Sequence, residues 1–239
     1  AAEDFDAAKL ASLLALGGPK AEGRGGKKEG DGAKATPLKA EQAAELRPTR
    51  AAAVDSGEVA LAKGEIRVVI ERQPEVTIGL NLDALDERAT FVNSIMEGAI
   101  RSWSVGHPDE PRLMAYDRIT AINGVRGSTN AILAEMRRSM RWSLAVQRPT
   151  SFRVTVDRGE QEALGLDLKY SPIGVSLLIA GIGDGAVHNF NAAQPPDRRI
   201  LVNDRIVEIN GRRGTAKELL AAATDVESLD LVVLNFAEG

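Results

Sequence analysis

The stretch Asp117-Arg118-Ile119, followed by Ile122-Asn123-Gly124, recurs 87 residues later as Asp204-Arg205-Ile206 and Ile209-Asn210-Gly211. A period that long exceeds the roughly 20 to 50 residues of solenoids and propellers, so each copy must be a small domain with its own core. Other landmarks keep the offset. Gly98-Ala99-Ile100 returns as Gly185-Ala186-Val187, Trp103 as Phe190 and Gly127 as Gly214. Ile78-Gly79-Leu80-Asn81-Leu82 returns as Leu164-Gly165-Leu166-Asp167-Leu168 at an offset of 86, so the loop between gained one residue. The chain therefore divides into a tail at 1–64 and two homologous units at 65–149 and 151–236.

In the first unit, residues 65–72 alternate around Ile66, Val68 and Ile70, which predicts a half-buried strand. Pro74 and Glu75 predict a turn, 77–82 a second strand with Ile78, Leu80 and Leu82 on one face, and 91–96 a third. Residues 98–103 read as a short helix, 118–122 as a strand and Asn123-Gly124 as a turn. Residues 128–140 read as a helix whose stripe is Ile132, Leu133 and Met136, and 142–147 as a closing strand. The second unit predicts the same order over 152–157, 163–168, 175–182, 185–190, 205–209, 216–223 and 229–234. The fold class is α+β, two tandem antiparallel sandwiches with two helices each. In the repeated motif, the Asp and Arg are expected to settle the turn entering a core strand, while Ile119, Ile122, Ile206 and Ile209 pack inward.

The tail holds too few β-branched and aromatic residues to build a core, and reads as extended, low-complexity chain. Phe5, Leu10, Leu13 and Leu14 near helical spacing predict a short docking helix stopped by Gly17-Gly18-Pro19. Thr36 and Pro37 open a second short helix over 39–46, closed by Pro48. The stretch from Lys20 to Arg50 has an excess of basic side chains and reads as a solvated linker, with an anionic membrane surface or an acidic subunit as the other contact it would suit. A tail of this kind gains order only against other subunits, which points to a large assembly. The sequence begins at Ala1 rather than Met. Two readings stand: an excised piece of a longer chain, or loss of a targeting peptide, the latter placing the protein inside the cell in a plastid or mitochondrion.

With 30 Lys plus Arg against 34 Asp plus Glu, the formal charge is −4 and no basic field invites nucleic acid. There are no Cys residues, which removes disulfides, thiolate metal sites and cysteine nucleophiles. No apolar run approaches the roughly 18 to 20 residues of a transmembrane helix. The two His residues, His107 and His188, have no Gly-x-Ser-x-Gly elbow to serve, so a catalytic triad is not expected. Gly25-Gly26-Lys27-Lys28 lacks the first glycine and the final Ser/Thr of a phosphate loop, and Asp109-Glu110 and Gly183-Asp184-Gly185 lack the further ligands of a calcium loop. No cofactor, metal or catalytic residue is expected.

The order strand, glycine loop, two strands, short helix, Asp-Arg-Ile strand, Asn-Gly turn, long helix, strand resembles the PDZ domain family, and it covers both units. The resemblance implies that a partner's C-terminal residues add as a strand beside the second strand and against the long helix. The terminal carboxylate would then sit on loop amides, a β-augmentation completed by an amide nest. For the first unit it implies a peptide site of Arg72, Thr77, Ile78, Gly79, Leu80, Leu82, Thr129, Leu133 and Met136. For the second it implies Arg158, Ala163, Leu164, Gly165, Leu166, Leu168, Ala216, Leu220 and Ala223. Both loops depart from the family by lacking its first glycine, and Glu75, Glu160 and Glu162 would repel a carboxylate. Thr129 and Ala216, in the place where the family often has His, favour apolar ligands. The expectation is a non-enzymatic protein-binding accessory subunit of a larger complex, its tail docked on partner subunits. The alternatives are an adaptor for C-terminal peptides and, more remotely, the regulatory part of a serine protease.

Overall fold

The computed structural model describes residues 59–236 apart from Pro74, 159–162 and Asp225. The two tail helices expected at 5–14 and 39–46 lie outside the described residues, as do Glu160 and Glu162. The first unit runs β1 (Glu65–Glu71), β2 (Leu80–Asp83), β3 (Thr90–Ile95), α1 (Ala99–Gly106), β4 (Arg118–Ile122), β5 (Val125–Arg126), α2 (Thr129–Arg138) and β6 (Arg141–Gln147). The second runs β7 (Thr150–Asp157), β8 (Leu166–Lys169), β9 (Leu177–Ile182), α3 (Ala186–Ala193), a 3₁₀ turn (Pro196–Arg198), β10 (Arg205–Ile209), α4 (Ala216–Ala222) and β11 (Ser228–Asn235). No helix among the described residues is long and apolar enough to cross a membrane.

Each unit folds its strands into one antiparallel sheet, ordered β1-β6-β4-β3-β2 with β5 on β4, and β7-β11-β10-β9-β8. Pairing places Ile66 opposite Val146, Val68 opposite Leu144 and Ile70 opposite Trp142, so the alternating apolar residues of β1 share a face with those of β6. On that face Val68, Ile70, Ile119, Ile122, Ile132 and Trp142 form the first core. Val156, Leu177, Ile206, Ile209, Leu219 and Leu231 form the second. Even the irregularities repeat, since both units carry a register shift between Ile119 and Ala121 or Ile206 and Glu208, and another between Asn81 and Leu82 or Asp167 and Leu168.

Several boundaries differ from the sequence expectation for identifiable reasons. Residues 77–79 do not extend β2 but turn away from it. Their carbonyls instead accept from the start of α1, Thr77 from Ala99 N–H at 2.9 Å and Ile78 from Ile100 N–H at 3.3 Å. Asn123 and Gly124, at φ 48 and 81, make a two-residue turn that pairs Ile122 with Val125 and so creates β5. The Asn123 side chain then ties that turn down, accepting from Ser143 N–H at 2.8 Å and donating to Glu135 at 3.0 Å.

The aspartates of the repeated motif do settle the turn. Asp117 accepts from Met114 N–H and Asp204 from Leu201 N–H, both at 2.8 Å, and both side chains are buried. The arginines do something else. Arg118 lies 5.7 Å from the centre of the Phe236 ring and Arg205 lies 4.0 Å from that of Phe91, so each crosses into the other unit. Phe91 is surrounded by Val207, Val232, Leu234 and Phe236, which come from the face of the second sheet opposite its own core. Phe91 and Phe236 meet edge to face at 6.4 Å. Arg205 also donates to Asp83 Oδ2 at 2.8 Å and Ser176 Oγ at 2.9 Å, with the two charged side chains 3% and 2% exposed. Only Arg148 and Pro149 separate β6 from β7, and this shared cluster sets how the units meet.

Elsewhere on the same outer face of the first sheet, Val59 packs on Ala121 and Ala145, and its N–H donates to Ser143 Oγ at 3.2 Å. Glu65 secures the same corner. It receives Arg126 at 2.8 Å, Thr120 Oγ1 at 2.5 Å and Ala62 N–H at 2.7 Å. Burial pushes this carboxyl up, but hydrogen bonds from Arg126, Thr120 and Ala62 together with the Arg126 charge outweigh it, bringing the pKa from 4.5 down to about 2.

Because the folded-state value is depressed, the Glu65 contribution is fully present above about pH 4.5 and is lost as pH falls toward about 2. Glu65→Gln should lower stability at neutral pH and reduce the acid-induced loss across that window, read by urea unfolding at a series of pH values. Phe236→Ala, in the second unit, should cost about 3 kcal/mol. Both Trp residues, Trp103 and Trp142, lie in the first unit, so the shift should be visible in their fluorescence during urea unfolding. An unchanged fluorescence midpoint would mean the units unfold separately.

Candidate functional site

Gly79 sits at φ +70, and a Cβ there would come within 2.7 Å of Glu97 O and 2.8 Å of Met96 O. Gly165 repeats this at φ +73, with Asp184 O and Gly183 O each 2.7 Å away. The backbone that approaches each glycine thus belongs to the same chain, at the entry to α1 or α3. Gly98 and Gly185 complete the contact from the other side, each leaving 2.4 Å between a hypothetical Cβ and the Thr77 or Ala163 carbonyl. A loop drawn this tightly against a helix start has its carbonyls occupied. Ala163 accepts from Ala186 N–H at 2.9 Å and Leu164 from Val187 N–H at 3.1 Å, matching Thr77 and Ile78.

The loop amides are the other half of the geometry. Among the described residues, the N–H groups of Ile78, Gly79, Leu164 and Gly165 donate to no acceptor. Met96 N–H donates to Gly79 O at 2.8 Å, which makes Leu80 and Ile95 a non-hydrogen-bonded pair and turns the Leu80 N–H and C=O toward the outer edge of β2. Gly183 N–H to Gly165 O, also 2.8 Å, does the same for Leu166 on β8. Both β2 and β8 are the last strands of their sheets. Successive unpaired amides leading into an open strand edge can hold an anion and then a strand.

The apolar walls differ between units. Ile78, Leu80, Leu82 and Leu133 are half-buried at the rim of the first core, on which Met136 is buried at 4% exposure. In the second unit Leu164, Leu166, Ala216, Leu220 and Ala223 are all buried, while Ala163 and Leu168 are half-buried. Leu164, Leu166, Leu220 and Ala223 close around a space of only about 10 Å3 whose lining is entirely apolar and offers an ordered water no partners. The first unit therefore offers apolar surface along its edge strand, while the second has drawn the matching residues inward. A more open concavity lies elsewhere, a cleft of about 620 Å3 at the junction of the units, lined by polar groups such as Asp86, Arg118, Lys169 and Asn203.

The remaining candidates are largely committed to the fold. Thr129 donates from Oγ1 to Ala89 O at 2.9 Å and to Asp86 O at 2.5 Å, so its hydroxyl secures the β2–β3 loop rather than a ligand. Ala216 is buried, its N–H donating to Gly174 O at 2.6 Å in the second unit's equivalent loop. Arg72 forks onto Ser139 O at 2.9 and 3.3 Å and lies 5.0 Å from the Trp142 ring, at the C-terminal end of α2. Arg158 is half-buried, its backbone N–H donating to Glu227 O at 2.8 Å, and its Nε has no partner. Thr77 and Glu75 are exposed, Glu75 at φ 68. No sequence signal marked Asp83 or Ser176, whose part is set by an arginine arriving from 29 to 122 positions away.

No family model matches the chain, and no curated protein matches it. Among solved structures, a complex of INAD PDZ45 with NORPA CC-PBM aligns at 18% identity and a TM-score of 0.32, covering 75% of this chain and 97% of that one. INAD PDZ45 bound to an NG2 peptide aligns at 17% identity and a TM-score of 0.30, covering 76% and 93%.

Gly79→Ala should destabilise more than Gly124→Ala, because both have positive φ but only Gly79 has carbonyl oxygens where the methyl would go. The strain of φ alone costs about 1–2 kcal/mol, and the collision should add at least as much again. Thermal unfolding of the two variants makes the comparison. Equal losses would show that the loop relaxes freely around position 79.

Proposed function

We propose that the chain is a non-catalytic, protein-binding subunit built of two PDZ-like domains, in which the first unit captures the apolar C-terminus of a partner as a strand added to β2. The observation that carries this reading is the outward-turned Leu80 pair on an edge strand, continuous with the unpaired amides of Ile78 and Gly79. A terminal carboxylate would lie on those amides, and alternate side chains of the peptide would pack against Leu80, Leu82 and Leu133. Two such side chains contribute roughly 1.5–3 kcal/mol each, which with strand hydrogen bonds gives micromolar affinity.

A second reading, a permanently built-in accessory subunit, is favoured by the closed second unit, whose Leu166 and Leu220 leave no surface for an exchangeable ligand. In that reading the tail docks on partner subunits, and the second unit has a supporting part in place of its own peptide. A large assembly peripheral to a membrane would suit the basic stretch of the tail. The two readings separate on whether free peptides bind the purified chain.

Fluorescence anisotropy of the full chain against decapeptides ending in Leu, Val or Phe should give dissociation constants on the order of micromolar. Amidating the terminal carboxylate should weaken binding at least about tenfold, the loss of one charge-assisted contact. Leu133→Glu should abolish binding with the circular dichroism spectrum unchanged. Failure of every peptide to bind would remove the groove reading and leave the built-in subunit.

A further inference from the structure

We propose that Arg205, in the second unit, is a positioning residue for the peptide edge of the first, so that the second unit acts as a clasp on β2 rather than as a second copy of the same binding site. The proposal rests on the reading of β2 as a peptide edge.

The end of β2 is weakly held within its own unit. The strand has only four residues, and its pairing with β3 shifts register between Asn81 and Leu82. Beyond that shift only two pairs remain, Leu82 with Val92 and Asp83 with Phe91. Arg205 grips both members of the last pair. Its Nη1 donates to Asp83 Oδ2 at 2.8 Å, and its guanidinium lies 4.0 Å from the Phe91 ring centre. Ser176 Oγ receives the same Nη1 at 2.9 Å from within the second unit, so the arginine is itself fixed in direction. The site is dry, with Asp83, Phe91, Ser176 and Arg205 all at most 5% exposed. A charge pair and a cation–π contact both strengthen when water is excluded.

The clasp runs one way. The residues matching Asp83 and Phe91 in the second unit are Lys169 and Leu178, which pair with each other across β8 and β9 but offer an arginine neither charge nor ring. Arg118, the counterpart of Arg205, accordingly pairs with Asp86 of its own unit at 2.5 Å and lies over Phe236. Burial agrees with this direction: the clasped unit keeps its apolar rim half-exposed, and the clasping unit has closed its own. Ligand capture on β2 and seating of Arg205 then share one free energy, and each must favour the other.

The test uses the full chain, comparing wild type with Arg205→Lys, which keeps a charge for Asp83 but loses the fork and the ring contact. Hydrogen exchange should accelerate at least about tenfold in segment 80–91 relative to segment 166–178. Affinity for acetyl-Gly-Ser-Ala-Val-Ser-Leu with a free C-terminus should fall at least about fivefold, the low end of ordinary coupling between sites. Adding that peptide to wild type should shift the Nε–H resonance of Arg205, a signal that a purely structural contact would not give. If Arg205→Lys does not fold, the double variant Asp83→Leu with Arg205→Met removes both charges together, and the same exchange and affinity changes are expected of it. Equal exchange in the two segments, or unchanged affinity, in a folded variant overturns the clasp. If the wild type binds no peptide, the groove reading fails, and the exchange comparison still decides whether Arg205 holds β2.

Discussion

A guanidinium buried away from water must find its partners inside the protein, and the partners of Arg205 lie on both sides of the junction between the units. Had Asp83, Ser176 and Phe91 not converged on it, the desolvation cost of that charge would fall on the folded state uncompensated. Their convergence requires β2 and β3 of the first unit, the approach to β9 and β10 of the second, and a linker of two residues all to be in register. Two domains joined this way cannot reorient freely without exposing Phe91 and stranding an aspartate. The apolar ring of Val207, Val232, Leu234 and Phe236 keeps water from the pair, and the pair keeps the apolar ring from choosing another register. The charge contact specifies the arrangement, and the apolar contact stabilises it.

The same division applies inside each unit at the glycine loops. Thr77 and Ile78 spend their carbonyls on the first amides of α1, so the helix start is satisfied from within. That leaves the loop amides as the unpaired donors, and donors that lack a partner in the folded chain are what a carboxylate would need. Glycine permits this at position 79 because any Cβ there would come within 2.7 Å of Glu97 O and 2.8 Å of Met96 O. In the proposed peptide site the glycine would act indirectly. It allows the loop to turn its carbonyls inward and its amides out.

Much of this was legible in the sequence and part was not, for a physical reason that particular residues make plain. The repeat, the order of elements along the chain and the inward isoleucines follow from local pattern, because alternation and turn chemistry act over a few residues. The aspartates at 117 and 204 read correctly for the same reason, each bonding an N–H three positions earlier. The arginines beside them did not, since their partners are 118 with 236 and 205 with 83 and 91, separations that no local pattern records. Nor could the letters distinguish an open rim from a closed one. Leu80, Leu82 and Leu133 match Leu166, Leu168 and Leu220 almost letter for letter, yet the first set is half-buried and two of the second are buried.

That contrast bears on why a duplicated domain should keep two different copies. A peptide groove is apolar surface held away from its best packing, and leaving a leucine half in water forgoes part of the roughly 1.5–3 kcal/mol that full burial gives. A unit that closes its groove recovers that free energy and becomes the stiffer of the two. A stiff neighbour is what a short, register-shifted edge strand lacks. With Lys169 and Leu178 in the places of Asp83 and Phe91, only Arg205 of the two repeated arginines finds both an acceptor and a ring on the last pair of the other unit's edge strand. The two copies thus differ in packing as well as in sequence: one keeps its rim half-buried, and the other buries the matching leucines in its own core.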